Sequence, residues 1–543
     1  MSTDNVVLED PSSSHRVYIG DSIGCLRVAQ CDPPSSLPKD FAGPSIRPLI
    51  LPNFKSHSDH AVQRIATGVL GSDTYVVALA RKNATIDVIQ IINQSLPSTS
   101  TAPAPSSELQ ANILCTVYET QMKAGIHRFI GLAVSTQGIY TITSSGIFRF
   151  TPISVTSAGT ETNATLGEAT VIDILPSPLQ HAHFYPPTDP THFCYGGEDV
   201  PLSLWHIPTS LSDQPPEGDM SVESAKTDDL AGLNSKQRKR KRQLEAKTKA
   251  RELVWGEVWR AKNLPNDNLS LPRRANITAT CILALTEEAD GLGESSVIAV
   301  GTKDGLVRIF QPGGPSRRHV REMRVVPAGQ GAVKTLCASS SALDSTRGGL
   351  LFAGDTGSKL SAVDWQTGAV VYAYKGAGQV GATLSMTVLP DDKSEALVTV
   401  SSDSLVRLHS TVPAGLAVPK PGMSAEKGEA MWSKMMASST TQSVHAMPTA
   451  VVWDGVVPPG LKGVKDGEEE EEDEVWANMQ EVSGRDGRGA KVNGPADGVA
   501  EDDDDHDEEE DEESEPEAAK GNGSNGKAKR KGGKPAQPKK SRK

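Results

Sequence analysis

A short pattern that returns seven times constrains this chain more than any other feature. Each copy is an apolar run, a Gly/Asp/Ser/Asn turn, then an alternating apolar/polar strand ending in or near an aromatic residue or His. The clearest copies are VIAVGTKDGLVRIFQ from Val297 and LVTVSSDSLVRLHS from Leu397. The others begin at Val17, Val76, Ile139, Phe193 and Leu350. Each reads as two strands joined by a tight turn. The copies end near residues 28, 90, 150, 207, 311, 365 and 410. Recurrence at this interval, with one longer gap, predicts a closed ring of four-stranded blades, an all-β, seven-bladed propeller. Such a ring is a docking platform, so the pattern tilts the function towards binding.

The ring is expected to occupy residues 1–412, with Asn5 to Glu9 (NVVLE) as the strand that closes it. Pro/Ser/Thr-rich stretches at 95–107 and 153–165 read as loops between blades. The long gap, residues 208–276, reads as an insertion between blades four and five. Its SKQRKRKRQLEAKTKARELVWGEVWRAKN stretch is rich in helix formers, so a helix is expected over 236–254. Leu244, Leu253 and Trp255 give that helix too weak an apolar stripe for a core position. Residues 413–482 read as a linker with short docking segments. These are MWSKMM, VVWDG and a short helix over 474–482 that carries Trp476 and Met479. From 483 to 543 the chain is expected to be disordered, because long like-charge runs bury too little apolar area to offset ordering entropy.

Charge is segregated along the chain. The whole-chain −13 comprises −22 over residues 466–519, +10 over 520–543 and −1 over the remainder. Hydrophobic content of 37% and aromatic content of 4% fit a folded ring diluted by polar low-complexity sequence. No apolar run approaches the length needed to span a bilayer, and the first sixteen residues lack the regions of a signal peptide. No membrane partner is expected. On this reading the N-x-S/T triplets, such as Asn83-Ala84-Thr85, are chance matches. Cys25, Cys31, Cys115, Cys194, Cys281 and Cys337 are scattered without a CxxC, which suits reduced, mostly buried thiols in a nuclear or cytosolic protein.

Little in the chain suggests catalysis. The GxGxxG at Gly376 to Gly381 is followed by ATLSMTVLP, a strand pattern rather than a helix, so it reads as a glycine-rich link between blades. His181, His183, His192 and Cys194 would share one face if their strands pair, which makes a tetrahedral zinc set conceivable. The spacing matches no standard zinc module, and ordinary sheet positions are the preferred reading. Asp21, Asp304, Asp355 and Asp403 recur at blade turns, where Asp closes turns by bonding backbone. No catalytic set, cofactor or metal is expected.

The basic segments carry more signal. Lys236, Arg238, Lys239, Arg240, Lys241 and Arg242 open the insertion's cationic run, and Lys529, Arg530, Lys531, Lys539 and Lys540 form two clusters in the tail. That layout resembles nuclear import signals, and clustered cations also suit RNA phosphates. Arg317, Arg318 and Arg321, with His319 and Arg324, form a further cluster after the fifth copy. The acidic block at Glu501 to Glu513 is of the kind found in nucleolar proteins, able to screen the basic tail or bind basic ribosomal proteins.

GGEDVPLSLWHI (Gly196 to Ile207), then a basic insertion, then VWRAKNLPNDNLSLPRR (Val258 to Arg274) resembles the Nop-seven-associated WD-repeat family of large (60S) ribosomal subunit assembly factors. The matching positions are Gly196, Gly197, Leu202, Trp205, Ala261, Lys262, Asn263, Asn266, Asp267, Leu269 and Leu271. LVTVSSDSLVRLH and VWANM are also similar to the family. The resemblance covers roughly residues 15–412 and that last short segment. It implies a WD-repeat propeller in the nucleus and nucleolus that rides an early pre-60S particle beside other assembly factors and pre-ribosomal RNA. It also implies release by an AAA-type ATPase. The chain is therefore expected to be a non-enzymatic scaffold, with an import receptor as a further partner. Lys262, Asn263, Asn266, Asp267, Arg273, Arg274, Arg317, Arg318 and Arg321 are its candidate partner- or RNA-binding residues. The alternative is a chromatin-associated or ubiquitin-ligase substrate-receptor propeller whose acidic tract binds histones.

Overall fold

Each of the seven copies folds as the middle hairpin of a blade built on four antiparallel strands, with a fifth strand added in blades 3 and 6, and the seven blades form a closed β-propeller. The computed structural model describes residues 14–32, 37, 41–93, 109–158, 161–212, 253–264, 270, 273–288, 291–339, 349–374, 380–390, 395–411, 426–428, 430–436 and 446–456. In blade 5 the copy supplies Val297–Thr302 and Leu306–Phe310, Ile277–Ala284 pairs inside them, and Arg321–Arg324 pairs outside. The turn between the middle strands needs a left-handed residue. Gly305 supplies it at φ 76° and Ser404 at φ 67° in the equivalent turn of blade 7.

The innermost strands, in ring order, are Pro448–Trp453, Val62–Leu70, Phe129–Ser135, Leu179–Tyr185, Ile277–Ala284, Val333–Ala338 and Thr383–Leu389. Each contacts the next, and the last contacts the first. The apolar core divides accordingly into seven clusters, one at each blade–blade junction. A middle strand therefore buries both faces. Val297–Thr302 and Ala396–Ser401 are buried at every position, which explains why the first half of each copy is a continuous apolar run.

Three expectations about the ring's closure, its extent and the insertion change. The closing strand is Pro448–Trp453, which pairs antiparallel with His15–Asp21 and lies innermost in blade 1. Asn5 to Glu9 lies outside the described residues. The ring accordingly runs past 412. MWSKMM lies largely within Ala430–Met435, the outer strand of blade 7, and VVWDG provides the second half of the closing strand. These segments read as linker because a six-residue strand without a partner nearby in sequence carries no hairpin signal. Finally, the insertion lies inside blade 4 rather than after it. Ser203–His206 leads into a short helix, Ile207–Leu211, and the chain returns as the outer strand Glu257–Arg260. Most of the helix expected over 236–254, all the import candidates, the 474–482 helix and the 483–543 tail lie outside the described residues.

The stretch 153–165 also differs from its expected loop. Phe148–Ala158 runs on into a hairpin with Glu161–Leu166. Among the described residues no helix is long and apolar enough to cross a membrane.

Candidate interaction surface at the junction of blades 4 and 5

In five of the seven copies the second strand buries a charged residue in an ion pair, and the pairing makes this possible. Arg27 meets Asp21 at 3.1 Å, Arg308 meets Glu322 at 2.7 Å, and Arg407 meets Asp403 at 2.6 Å. Arg149 is bidentate on Glu119, at 2.7 and 2.8 Å, and Glu119 follows the outer strand of blade 2. Blade 2 reverses the polarity: Arg81 occupies the carboxylate position and bonds Asp87 at 2.6 Å. Asp21, Asp355 and Asp403 also cap their turns through side-chain oxygens, as expected. Asp304 differs, because its backbone carbonyl is what Arg324 holds.

The family-like motif divides into a structural part and an exposed part. A Cβ on Gly196 would lie 2.5 Å from the Ile277 side chain of blade 5, and one on Gly197 would lie 2.2 Å from the Pro178 carbonyl oxygen. The glycine pair therefore permits close packing. Leu202 and Trp205 are fully buried, and the Trp205 indole N–H donates to Ser203 Oγ at 2.9 Å. Ala261 is buried, and its N–H donates to the Leu202 carbonyl at 2.8 Å. Lys262 and Asn263, next in sequence, are exposed. Asn266, Asp267, Leu269 and Leu271 lie outside the described residues.

Two stretches that the sequence separates meet here. The Lys262 N–H donates to the Arg317 carbonyl at 2.8 Å, and Arg317 Nε donates to the Arg260 carbonyl at 2.7 Å. The AKN segment and the Arg317–Arg321 cluster thus form one rim patch. Arg273 and Arg318 lie close enough to hold His319 below its usual range, after burial and the Arg308 charge. The local carboxylates are already engaged: Asp199 by Arg274 at 2.7 Å, Glu257 by Arg260, and Glu322 by Arg308. Lys262, Arg273, Arg318 and Arg321 have no carboxylate partner among the described residues. Such a surface suits phosphates or an acidic protein face. A small apolar recess beside it is lined by Leu202, Leu264, Ile277 and Phe310.

The His/Cys set resolves into blade packing. His183 stands opposite Cys194 in the register. His181 Nδ1 accepts the Thr280 N–H at 3.2 Å, and His183 Nδ1 accepts the Ile282 N–H at 3.3 Å, both from blade 5. His192 instead neighbours the His206 ring, 4.9 Å away. Burial holds His183 down to about 4. These imidazoles tie blade to blade, and among the described residues no His/Cys/Asp/Glu group has metal-binding geometry. At the GxGxxG, Gly381 leads into the strand Thr383–Leu389, and Gly376 to Gln379 lie outside the described residues.

The fold is that of a seven-bladed β-propeller, with a cationic patch on its rim. No protein-family model and no curated protein matches the chain. Among solved structures it is similar to Sqt1 from Chaetomium thermophilum, with 13% identity over 74% of this chain and 80% of that one, at a TM-score of 0.41. A second structure, Chaetomium thermophilum Sqt1 bound to the N-terminus of ribosomal protein L10, gives 12% identity over 73% and 81%, also at 0.41. Saccharomyces cerevisiae Sqt1 gives 9% over 66% and 74%, at 0.37.

Proposed function

We propose that this protein is a non-enzymatic scaffold in large ribosomal subunit assembly, with the rim of blades 4 and 5 as its partner-binding surface. The observation that carries this reading is the meeting of Arg260 and Lys262 with Arg317. The segment that resembles the assembly-factor family is also where cations without carboxylate partners gather. On this reading the protein works in the nucleus and nucleolus, carried there by an import receptor that reads the clusters at 236–242 and 529–540. It joins an early pre-60S particle beside other assembly factors, contacts precursor ribosomal RNA through the rim, and leaves by the action of an AAA-type ATPase.

Affinity purification of the full-length protein from its own cells, with RNA sequencing and mass spectrometry of the eluate, tests the reading. Large-subunit precursor RNA with nucleolar assembly factors is the expected result. Histones, a cullin adaptor or an eluate without RNA would overturn it.

A further inference from the structure

The seven innermost strands wall the axial channel of the ring. Their sequences, VQRIATGVL, FIGLAVS, LQHAHFY, ITATCILA, VKTLCA, TLSMTVL and PTAVVW, contain no Asp or Glu. They do contain Arg64, His181, His183 and Lys334, and Arg128 immediately precedes the Phe129 strand. All seven strands skip one residue of register at their second position. A bulge of this kind re-aims side chains, and here it recurs at one level of the ring, near the mouth where the strands begin. Lys334 is the skipped residue in its strand. Arg64 and His181 follow the skipped residue by one position, and Arg128 precedes it by two.

Among the described residues these cations have only neutral partners. Arg64 donates to the Ile130 and Gln63 carbonyls at 3.0 and 3.2 Å. Arg128 donates to Gln180 Oε1 at 2.7 Å and to the Gln180 carbonyl at 3.1 Å. Lys334 has no ion pair or side-chain hydrogen bond among the described residues. The groups also act on one another. Burial and then the Arg128 charge lower Lys334, and the same two causes bring Arg64 down to about 10. Burial, followed by Arg64, His183 and Arg128, keeps His181 neutral. Like charges gathered without a counter-charge destabilise the ring unless an anion joins them.

We propose that this mouth of the channel binds an acidic peptide, with the side-chain carboxylates of an extended Asp/Glu-bearing segment of a partner protein held by Lys334, Arg128 and Arg64. The cations stand on three different blades around one axis, which suits a carboxylate presented on that axis rather than a backbone that needs a stripe of charge. Among the described residues no Phe, Tyr or Trp offers a stacking platform at this mouth. Phe129 and Phe184 are buried, while Tyr185 and Trp453 end their strands at the opposite mouth. The site does not depend on the ribosomal reading, because an acidic segment of any partner satisfies it, and its failure leaves that reading untouched.

The test is fluorescence anisotropy of full-length protein with a labelled oligoglutamate peptide, an uncharged peptide of equal length and single-stranded oligouridylate. The expected result is salt-sensitive binding of oligoglutamate and not of the uncharged peptide, weakened about tenfold or more by Lys334→Gln and by Arg128→Gln and much less by Arg321→Gln on the rim. Lys334→Gln should also raise the melting temperature of the unliganded protein, since it removes like-charge repulsion. Arg128 is exposed, so Arg128→Gln keeps the test open if Lys334→Gln does not fold. Equal binding of the uncharged peptide, oligouridylate binding weakened as much as oligoglutamate binding by Lys334→Gln and Arg128→Gln, or wild-type affinity in the variants that fold would overturn the site.

Discussion

Arg81 shows how one residue serves both its blade and its neighbour. It bonds Asp87 within blade 2 and reaches the Gly24 and His60 carbonyls at 2.7 and 3.0 Å on the blade 1 side. Its guanidinium also lies 4.5 Å from the centre of the Phe54 ring. Removing Asp87 would leave this charge buried and incompletely paired, so Asp87→Ala should cost about 3–5 kcal/mol in denaturant unfolding. The charge swap Arg81→Asp with Asp87→Arg should recover only part of the loss, because an arginine at 87 has to find those carbonyls from a different strand. Full recovery would show that the pair alone matters. Asp454 supplies a second prediction. Burial pushes its carboxyl up to about 6, against opposing effects of the Val456 N–H and Arg16. A carboxyl whose folded value exceeds its unfolded value contributes stability that is fully present below about pH 4 and lost as pH rises through about 6. The protein should therefore gain up to about 3 kcal/mol from this group on going from pH 7.5 to pH 4. Asp454→Asn should flatten that slope in pH-dependent melting and stabilise the protein at pH 7.5. An unchanged slope would remove Asp454 as the cause.

At the scale of elements, the seven middle hairpins were legible because turn chemistry and apolar runs are local signals. Most of the inner and outer strands were not, although ATLSMTVLP read as a strand and contains the inner strand of blade 7. EVWR has four residues and follows a long insertion, and PTAVVW reads as an isolated apolar island. Its partner His15–Asp21 lies more than four hundred residues away, so no local pattern connects them. The closing strand buries Ala450 and Val451 and joins both its neighbours in the ring. A chain ending after residue 446 should lose the cooperative unfolding transition and elute as aggregate, whereas one ending after residue 456 should melt like the longer protein. Circular dichroism melting with size-exclusion chromatography distinguishes the two. A cooperative fold without the closing strand would show that the ring is stable open.

At the scale of the whole molecule, charge is gathered in separate places: the rim, the channel mouth and the tail sequence. Rim residues are exposed, so reversing Lys262, Arg273 and Arg318 to Glu should leave melting unchanged and reduce co-sedimentation with large-subunit precursors several-fold. Unchanged co-sedimentation would move the binding surface elsewhere on the ring. The sequence by itself determined the hairpins, the blade number, the segregated charge and the separate basic clusters, because turn type, strand pattern and composition are properties of neighbouring residues. Only the tertiary structure decided that the ring closes through Pro448–Trp453, that Arg317 meets Lys262, and that Lys334, Arg128 and Arg64 surround one channel mouth. Those contacts join residues far apart in the chain, and they form only when each blade buries both of its faces against its neighbours.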